Sequence, residues 1–254
     1  ECERCVSDAL NVGYRMIDTA QAYHNEEGVG NAVRKSGIDR KDIFLVSKVW
    51  ISNYGYEKAK ASIDESLRKL QTDYIDLMLL HQPFCDRYGA YRALEEAYKE
   101  GKLRAIGVSN FYPDHFIDIA SNMAIVPAVN QVETHVFDQQ IEPQHIMEEF
   151  GTRIMSWAPF AEGRNGFFTN PMLAEIGHKY GKSVAQVALR WLIQRGVVII
   201  PKSTHIERMR QNIDIFDFTL SDEDMASIAT LDTGRSLFFD HHDAETARMF
   251  MGWR

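Results

Sequence analysis

Residues 43–83 read IFLVSKVW ISNYGYEKAKASIDESLRKL QTDY IDLMLLHQP, the spaces marking where the hydrophobic pattern changes. The first run, 43–50, is an apolar strand that ends in Lys48 and Trp50. The last, 75–80, is another, and it ends at His81, Gln82 and Pro83. Between them Ala59, Ile63, Leu67 and Leu70 lie on one face of a helix over about 57–70. Short apolar strands without alternation are buried on both faces, which implies a parallel sheet covered by helices.

The same unit recurs on both sides. Toward the N-terminus, 15–20 (RMIDTA) reads as a short strand. A helix over 2–12 that stops at Gly13 precedes it, and a helix over 25–35 follows with Asn25 as its cap. Toward the C-terminus, a helix near 90–100 stops at Gly101. Strands follow at 105–111, 128–133 and 153–160, separated by helices over 113–121 and 141–150. Asn170 and Pro171 open a further helix as cap and first-turn proline. Ser183 and Gln186 open the next with a capping box. VVIIPKS, 197–203, is the last strand, with helices near 205–212 and 222–230 behind it, the second capped by Ser221. The tail, 232–254, is rich in Phe, His and Met and shows no clear period.

Seven strands alternating with helices over 254 residues point to a single (β/α)8 barrel domain spanning 1–254. A doubly wound open sheet is the competitor. Two features favour the barrel. No G-x-G-x-x-G follows any strand. Unusual polar residues also sit at the C-terminal ends of many strands rather than at one switch point. The eighth strand's natural place is before Glu1, so an N-terminal segment carrying the first strand is expected upstream.

Composition narrows the function. The formal net charge of −8 argues against a general nucleic-acid or anionic-membrane surface. No apolar run is long enough for a membrane span. Cys2, Cys5 and Cys85 are too few for a disulfide scaffold and fit a reducing compartment, the cytoplasm. Cys2 and Cys5 form a C-x-x-C, but no second ligand pair accompanies it, so it reads as a helix face and no metal is expected.

The residues at the strand ends carry the chemistry. Asp18, Lys48 and His81 stand at or just before the ends of successive buried strands, and Tyr23 lies in the first strand-end loop. In a barrel these ends meet at one face. Ser109 and Asn110 stand at a further strand end. A free tyrosine titrates near ~10 and is a poor acid unless its neighbours adjust it. Lys48 beside it is expected to lower that value, Asp18 to compensate the lysine, and His81 to orient a carbonyl oxygen.

The segments GYRMIDTAQAYHNEEGVG, VSKVW, DLMLLHQP, GKLRAIGVSNF, VNQVE and IPKSTHIERMRQN resemble those of the aldo-keto reductase superfamily, in order and spacing, over residues 13–212. YKEGKLRAIGVSNF and VAQVALRWLIQRGVVIIPKS most resemble diketogluconate-reductase-like and prostaglandin-F-synthase-like members. The resemblance implies reduction of a small-molecule carbonyl by NADPH, with Tyr23 as general acid, Lys48 and Asp18 as its tuning pair and His81 as orienter. It implies that Ser109, Asn110 and Gln131 hold the nicotinamide carboxamide and that Trp157 stacks on the ring. Lys202, Ser203 and Arg208 would grip the 2′-phosphate, favouring NADP(H), and Asn212 the adenine. Trp50 would line the substrate pocket.

Further expectations follow from the likeness. The tail from Leu237 to His242 is expected to border the pocket and serve specificity or the surface, without binding metal. Glu162, near the loop that crosses the pyrophosphate in relatives, is expected to point away. Gln211 replaces an acidic residue often found before Asn212, which is expected to loosen adenine binding slightly. A monomer or weak oligomer is expected. The rival readings are a cofactor-binding regulatory subunit on the same fold, like potassium-channel β subunits, and an inactive reductase lacking its first strand.

Overall fold

Uniformly apolar strands hide their own alternation, and the three-dimensional arrangement restores it. The computed structural model describes residues 1–253. Its strands are β1 (Met16–Asp18), β2 (Phe44–Val49), β3 (Leu77–Leu80), β4 (Ile106–Ser109), β5 (Val129–Glu133), β6 (Arg153–Trp157) and β7 (Val198–Ile199). All pair in parallel and in sequence order as one sheet. The helices are α1 (Cys2–Val12), α2 (Glu26–Lys35), α3 (Tyr56–Leu70), α4 (Arg87–Lys99), α5 (Pro113–Asn122) and α6 (Ile141–Glu149). They continue with α7 (Pro171–Tyr180), α8 (Val184–Gln194), α9 (Ile206–Ile213), α10 (Asp222–Ala229) and α11 (Ala244–Met251).

The sheet curls into a half-barrel, with a different set of side chains on each face. Val46, Leu77, Leu79 and Met155 cluster inside, with Met16, Ala105, Val129, Val198 and Ile200 packed against them. Leu45, Val49, Met78, Leu80 and Val108 join the larger core under the helices. Gly107 sits on the inner face where a Cβ would collide with the carbonyl oxygen of Val129, so the inner layer has no room for a larger residue there. The outer layer has a similar contact at Gly30, whose Cβ would lie 2.6 Å from the carbonyl oxygen of Leu70, so α2 and the end of α3 touch backbone to backbone.

β1 and β7 are the two edges of the sheet. On their outer side α1 reaches across to α9, with Arg4 donating to the Thr204 carbonyl at 3.1 Å and Tyr14 to that of Met209 at 2.9 Å. Gly13 ends α1 with φ 120, and the caps at Asn170, Ser183 and Ser221 each accept a backbone N–H as expected.

Four local expectations need correction. Asn25 occupies the cap position of α2 but makes no capping bond; its side chain instead accepts the Thr19 hydroxyl at 2.6 Å. The last strand is two residues long rather than seven, because Pro201 has no N–H to continue a ladder. The strand at 105–111 stops at Ser109, where Asn110 turns to φ 63. The tail, read as aperiodic, contains α11, capped by Asp243 through the Thr246 N–H.

Candidate active site

Inward-facing positions alternate along each strand, and one step beyond the apolar layer they become polar. Met16 leads to Asp18, Val46 to Lys48, Leu79 to His81, Gly107 to Ser109, Val129 to Gln131 and Met155 to Trp157. Val198 and Ile200 lead in the same way to Lys202. The site is thus the rim of the barrel's own packing pattern. These side chains, except Lys48, line one cavity of about 1120 Å³, together with Tyr23 and Asn110.

Lys48 is fully buried beneath it, its Nζ 2.5 Å from Asp18 Oδ1 and 2.9 Å from the Thr19 carbonyl. The same ammonium lies 5.2 Å from the centre of the Tyr23 ring. Tyr23 ends a short 3₁₀ turn and remains half-exposed toward the cavity. Burial of its phenol pushes the pKa up, Lys48 pulls it down and Asp18 pushes it up again, with a net rise. The expected lowering by Lys48 is therefore present but outweighed by desolvation. His81 packs edge-on against both Tyr23 and Trp50, with ring centres 5.7 and 5.1 Å away. Burial, then Lys48, drives its pKa well below the ordinary imidazole value, so the ring is neutral.

Ser109, Asn110 and Gln131 form a connected polar shelf. Ser109 donates to the Gln131 carbonyl at 2.8 Å, and Asn110 Nδ2 donates to the His81 carbonyl at 3.0 Å. Gln131 Nε2 donates to Asp18 Oδ2 at 2.9 Å, which ties the shelf to the ion pair. Asn110 Oδ1 accepts the Trp157 indole N–H at 2.9 Å and so fixes the plane of that ring.

A second cavity of about 660 Å³ shares Phe160, Lys202, Ser203 and Thr204 with the first, making one elongated groove. Arg208, Gln211 and Asn212 line its far end. Lys202 and Arg208 are exposed there and, among the described residues, neither is held in an ion pair. Ser203 caps the turn before α9 by accepting the His205 N–H at 3.1 Å. Glu162, expected to point away, lines the first cavity.

The tail supplies what the sequence reading missed. His241 is buried, its Nε2 3.0 Å from Gln82 Oε1, and its ring packs against Phe84 and Phe250, which also stack on each other at 5.3 Å. Burial lowers its pKa to about 4. His242 diverges to the surface near Asp114, so the two histidines share no site. Phe239 also lines the cavity, and Trp253 lies 6.2 Å from Trp50. The D-x-x-T cap at Asp243 was the one signal in the sequence that could have found α11.

Comparison with known proteins bears on the family and the fold. The Aldo/keto reductase family profile matches residues 1–233. Glyoxal reductase of Bacillus subtilis (strain 168) is 47% identical over 232 residues, 91% of this chain and 83% of that protein. The crystal structure of an aldo-keto reductase from a Medee basin deep-sea metagenome superposes with TM-score 0.93 at 42% identity, covering 96% of this chain and 92% of that one. That of a Bombyx mori aldo-keto reductase in complex with NADP gives 0.89 at 33% identity, covering 97% and 86%.

Proposed function

The chain belongs to the aldo/keto reductase family, and from that premise we propose that Tyr23 is the acid of an NADPH-dependent reduction of aldehydes and ketones to alcohols. The single observation that carries the assignment is the buried Lys48–Asp18 pair set beneath the Tyr23 ring, with neutral His81 on its flank.

Several features of the groove suit the cofactor. Its two joined cavities are about 1120 and 660 Å³, the Trp157 indole offers a ring already fixed by Asn110, and Lys202 and Arg208 offer cations for a phosphate. Ser109, Asn110 and Gln131 carry the donors and acceptors that a carboxamide needs, and Asn212 stands at the adenine end. When bound, NADPH supplies the hydride that adds to the carbonyl carbon. As the C=O π bond opens, the oxygen takes the proton from the Tyr23 hydroxyl. The phenolate left behind faces the Lys48 ammonium, which Asp18 compensates. His81, being neutral, can donate an N–H to the same oxygen and orient it, and Trp50, packed edge-on against His81, is assigned to the substrate side.

The relative that reduces glyoxal makes small, reactive aldehydes the first substrates to try. A count of only three cysteines suits the cytoplasm; among the described residues no helix is long and apolar enough to cross a membrane. The test is consumption of NADPH with glyoxal-type and simple aldehydes. Tyr23→Phe should lose activity by about 10²-fold or more while binding NADPH as before. Turnover that persists in Tyr23→Phe would remove Tyr23 from the mechanism, and binding without turnover in the wild type would favour the regulatory-subunit reading.

A further inference from the structure

One layer above Gln131, Glu133 ends β5 with its side chain completely buried. Its carboxylate accepts three hydrogen bonds. The Ser236 hydroxyl donates at 2.5 Å, the Leu237 N–H at 2.8 Å and the His135 ring at 2.9 Å. His135 Nδ1 accepts the N–H groups of Phe137 and Asp138 at 3.2 and 3.1 Å, so the ring's proton is on Nε2, facing Glu133. The tail is therefore tied to the barrel wall through a buried carboxylate at residues 236 and 237.

A second tie comes from the segment that follows the neighbouring strand, β6. Arg164 donates to the Leu237 carbonyl, and its guanidinium lies 4.0 Å over the Phe238 ring. Phe238 in turn meets the Trp157 indole edge-on at 5.1 Å. Arg164 belongs to the irregular segment Ala161–Thr169 beside the groove. Around it Ala158, Ala161, Glu162 and Asn165 all have φ of 50–53, conformations that non-glycine residues keep only where contacts over-determine them.

We propose that Glu133 is a positioning residue: it pins residues 236–238 so that Phe238 and Arg164 hold Trp157 against the nicotinamide and the Ala161–Thr169 segment along the cofactor groove. The proposal rests on the cofactor reading above. Glu133 touches neither substrate nor cofactor and acts only through the tail. Its role is to slow cofactor release, and it leaves the proton and hydride transfers to other groups.

The experiment is stopped-flow measurement of NADPH release, with single-turnover rates at saturating NADPH, on the whole chain. Glu133→Gln keeps the shape but presents an amide N–H₂ to groups that are themselves donors. Phe238→Ala and Arg164→Ala cut the link further out, on partly or fully exposed residues. All three should release NADPH faster, by about tenfold for Glu133→Gln, the equivalent of one lost charged hydrogen bond. The single-turnover rate should stay as in the wild type. Arg164→Lys, which restores a cation over Phe238, should recover part of the effect. Unchanged release in Phe238→Ala and Arg164→Ala overturns the proposal, whether or not Glu133→Gln folds. So does a slowed single turnover with normal release. A wild-type protein that does not bind NADPH would overturn the functional reading itself, an outcome distinct from either of these.

Discussion

Lys48 and Asp18 meet at 2.5 Å, with the lysine side chain wholly enclosed and the aspartate 10% exposed. The two ends of this pair are not equivalent. Asp18 has a second partner in Gln131, whereas Asp18 is, among the described residues, the one carboxylate paired with Lys48, which otherwise meets the Thr19 carbonyl and the Tyr23 ring. Asp18→Asn should therefore strand a buried ammonium and cost about 3 kcal/mol or more. Lys48→Met leaves a carboxylate that keeps Gln131 and some water, and it should cost less. Urea denaturation of both variants checks the order, and equal losses would mean that the enclosure of Lys48 does not matter.

The pH dependence of turnover follows from the two perturbed rings. His81 is held neutral by burial and by Lys48, so no imidazole step should appear near ~6.5. Tyr23 must carry its proton to act, and its pKa is raised, so the acid form persists to higher pH than in a free phenol. The profile of kcat/KM should be flat through neutrality and fall only beyond ~10. A limb near ~6.5 that disappears in His81→Gln would contradict the neutral ring.

At the far end of the groove, Arg208 and Lys202 stand without carboxylate partners among the described residues. Arg208→Ala should weaken NADPH by about tenfold and leave NADH nearly unchanged, since a guanidinium fork is matched to a phosphate and not to a ribose hydroxyl. Equal weakening of both cofactors, measured by fluorescence titration, would remove Arg208 from the phosphate site.

How much of this was legible in the sequence depended on period. β3 announced itself as an uninterrupted apolar run and β2 as one broken only by Ser47 and Lys48, and Lys48 and His81, at or just beyond the strand ends, are conspicuous against that background. The family likeness then extended the reading to Gln131 and Trp157, which carry no such contrast. The two-residue alternation from Val46 to Lys48 or Met155 to Trp157 was available but masked, because both faces of each strand are apolar. Glu133 and His241 were out of reach for another reason. Their partners, Ser236 and Gln82, lie 103 and 159 residues away, and no local pattern encodes such a contact.

His241 makes the tail's docking sensitive to acid. Burial lowers its folded pKa to about 4, below the ~6.5 of an unfolded histidine. Its contribution is present above ~6.5 and drains as pH falls toward the folded value. His241→Phe keeps the ring packing against Phe84 and Phe250 and removes the proton. Its Tm should fall less than that of the wild type on acidification, and parallel curves would refute the role of His241.

Asp138 acts with the opposite sign. Burial first, then Glu133, raises its pKa to about 6, above the ~3.9 of an unfolded aspartate. The folded chain holds this proton more tightly, so the contribution is present below ~3.9 and is lost as pH rises through the folded value. Asp138→Asn mimics the protonated form and should be more stable than the wild type by about 1–2 kcal/mol at pH ~8, with no gain at pH ~4. Between the two folded values His241 loses stability on acidification while Asp138 gains it, so the wild-type curve should be shallow there. Asp138→Asn should make that acid loss steeper, and His241→Phe should make it shallower or reverse it. Changes in slope of the same sign in the two variants would contradict the assignment of opposite proton linkage to these two groups.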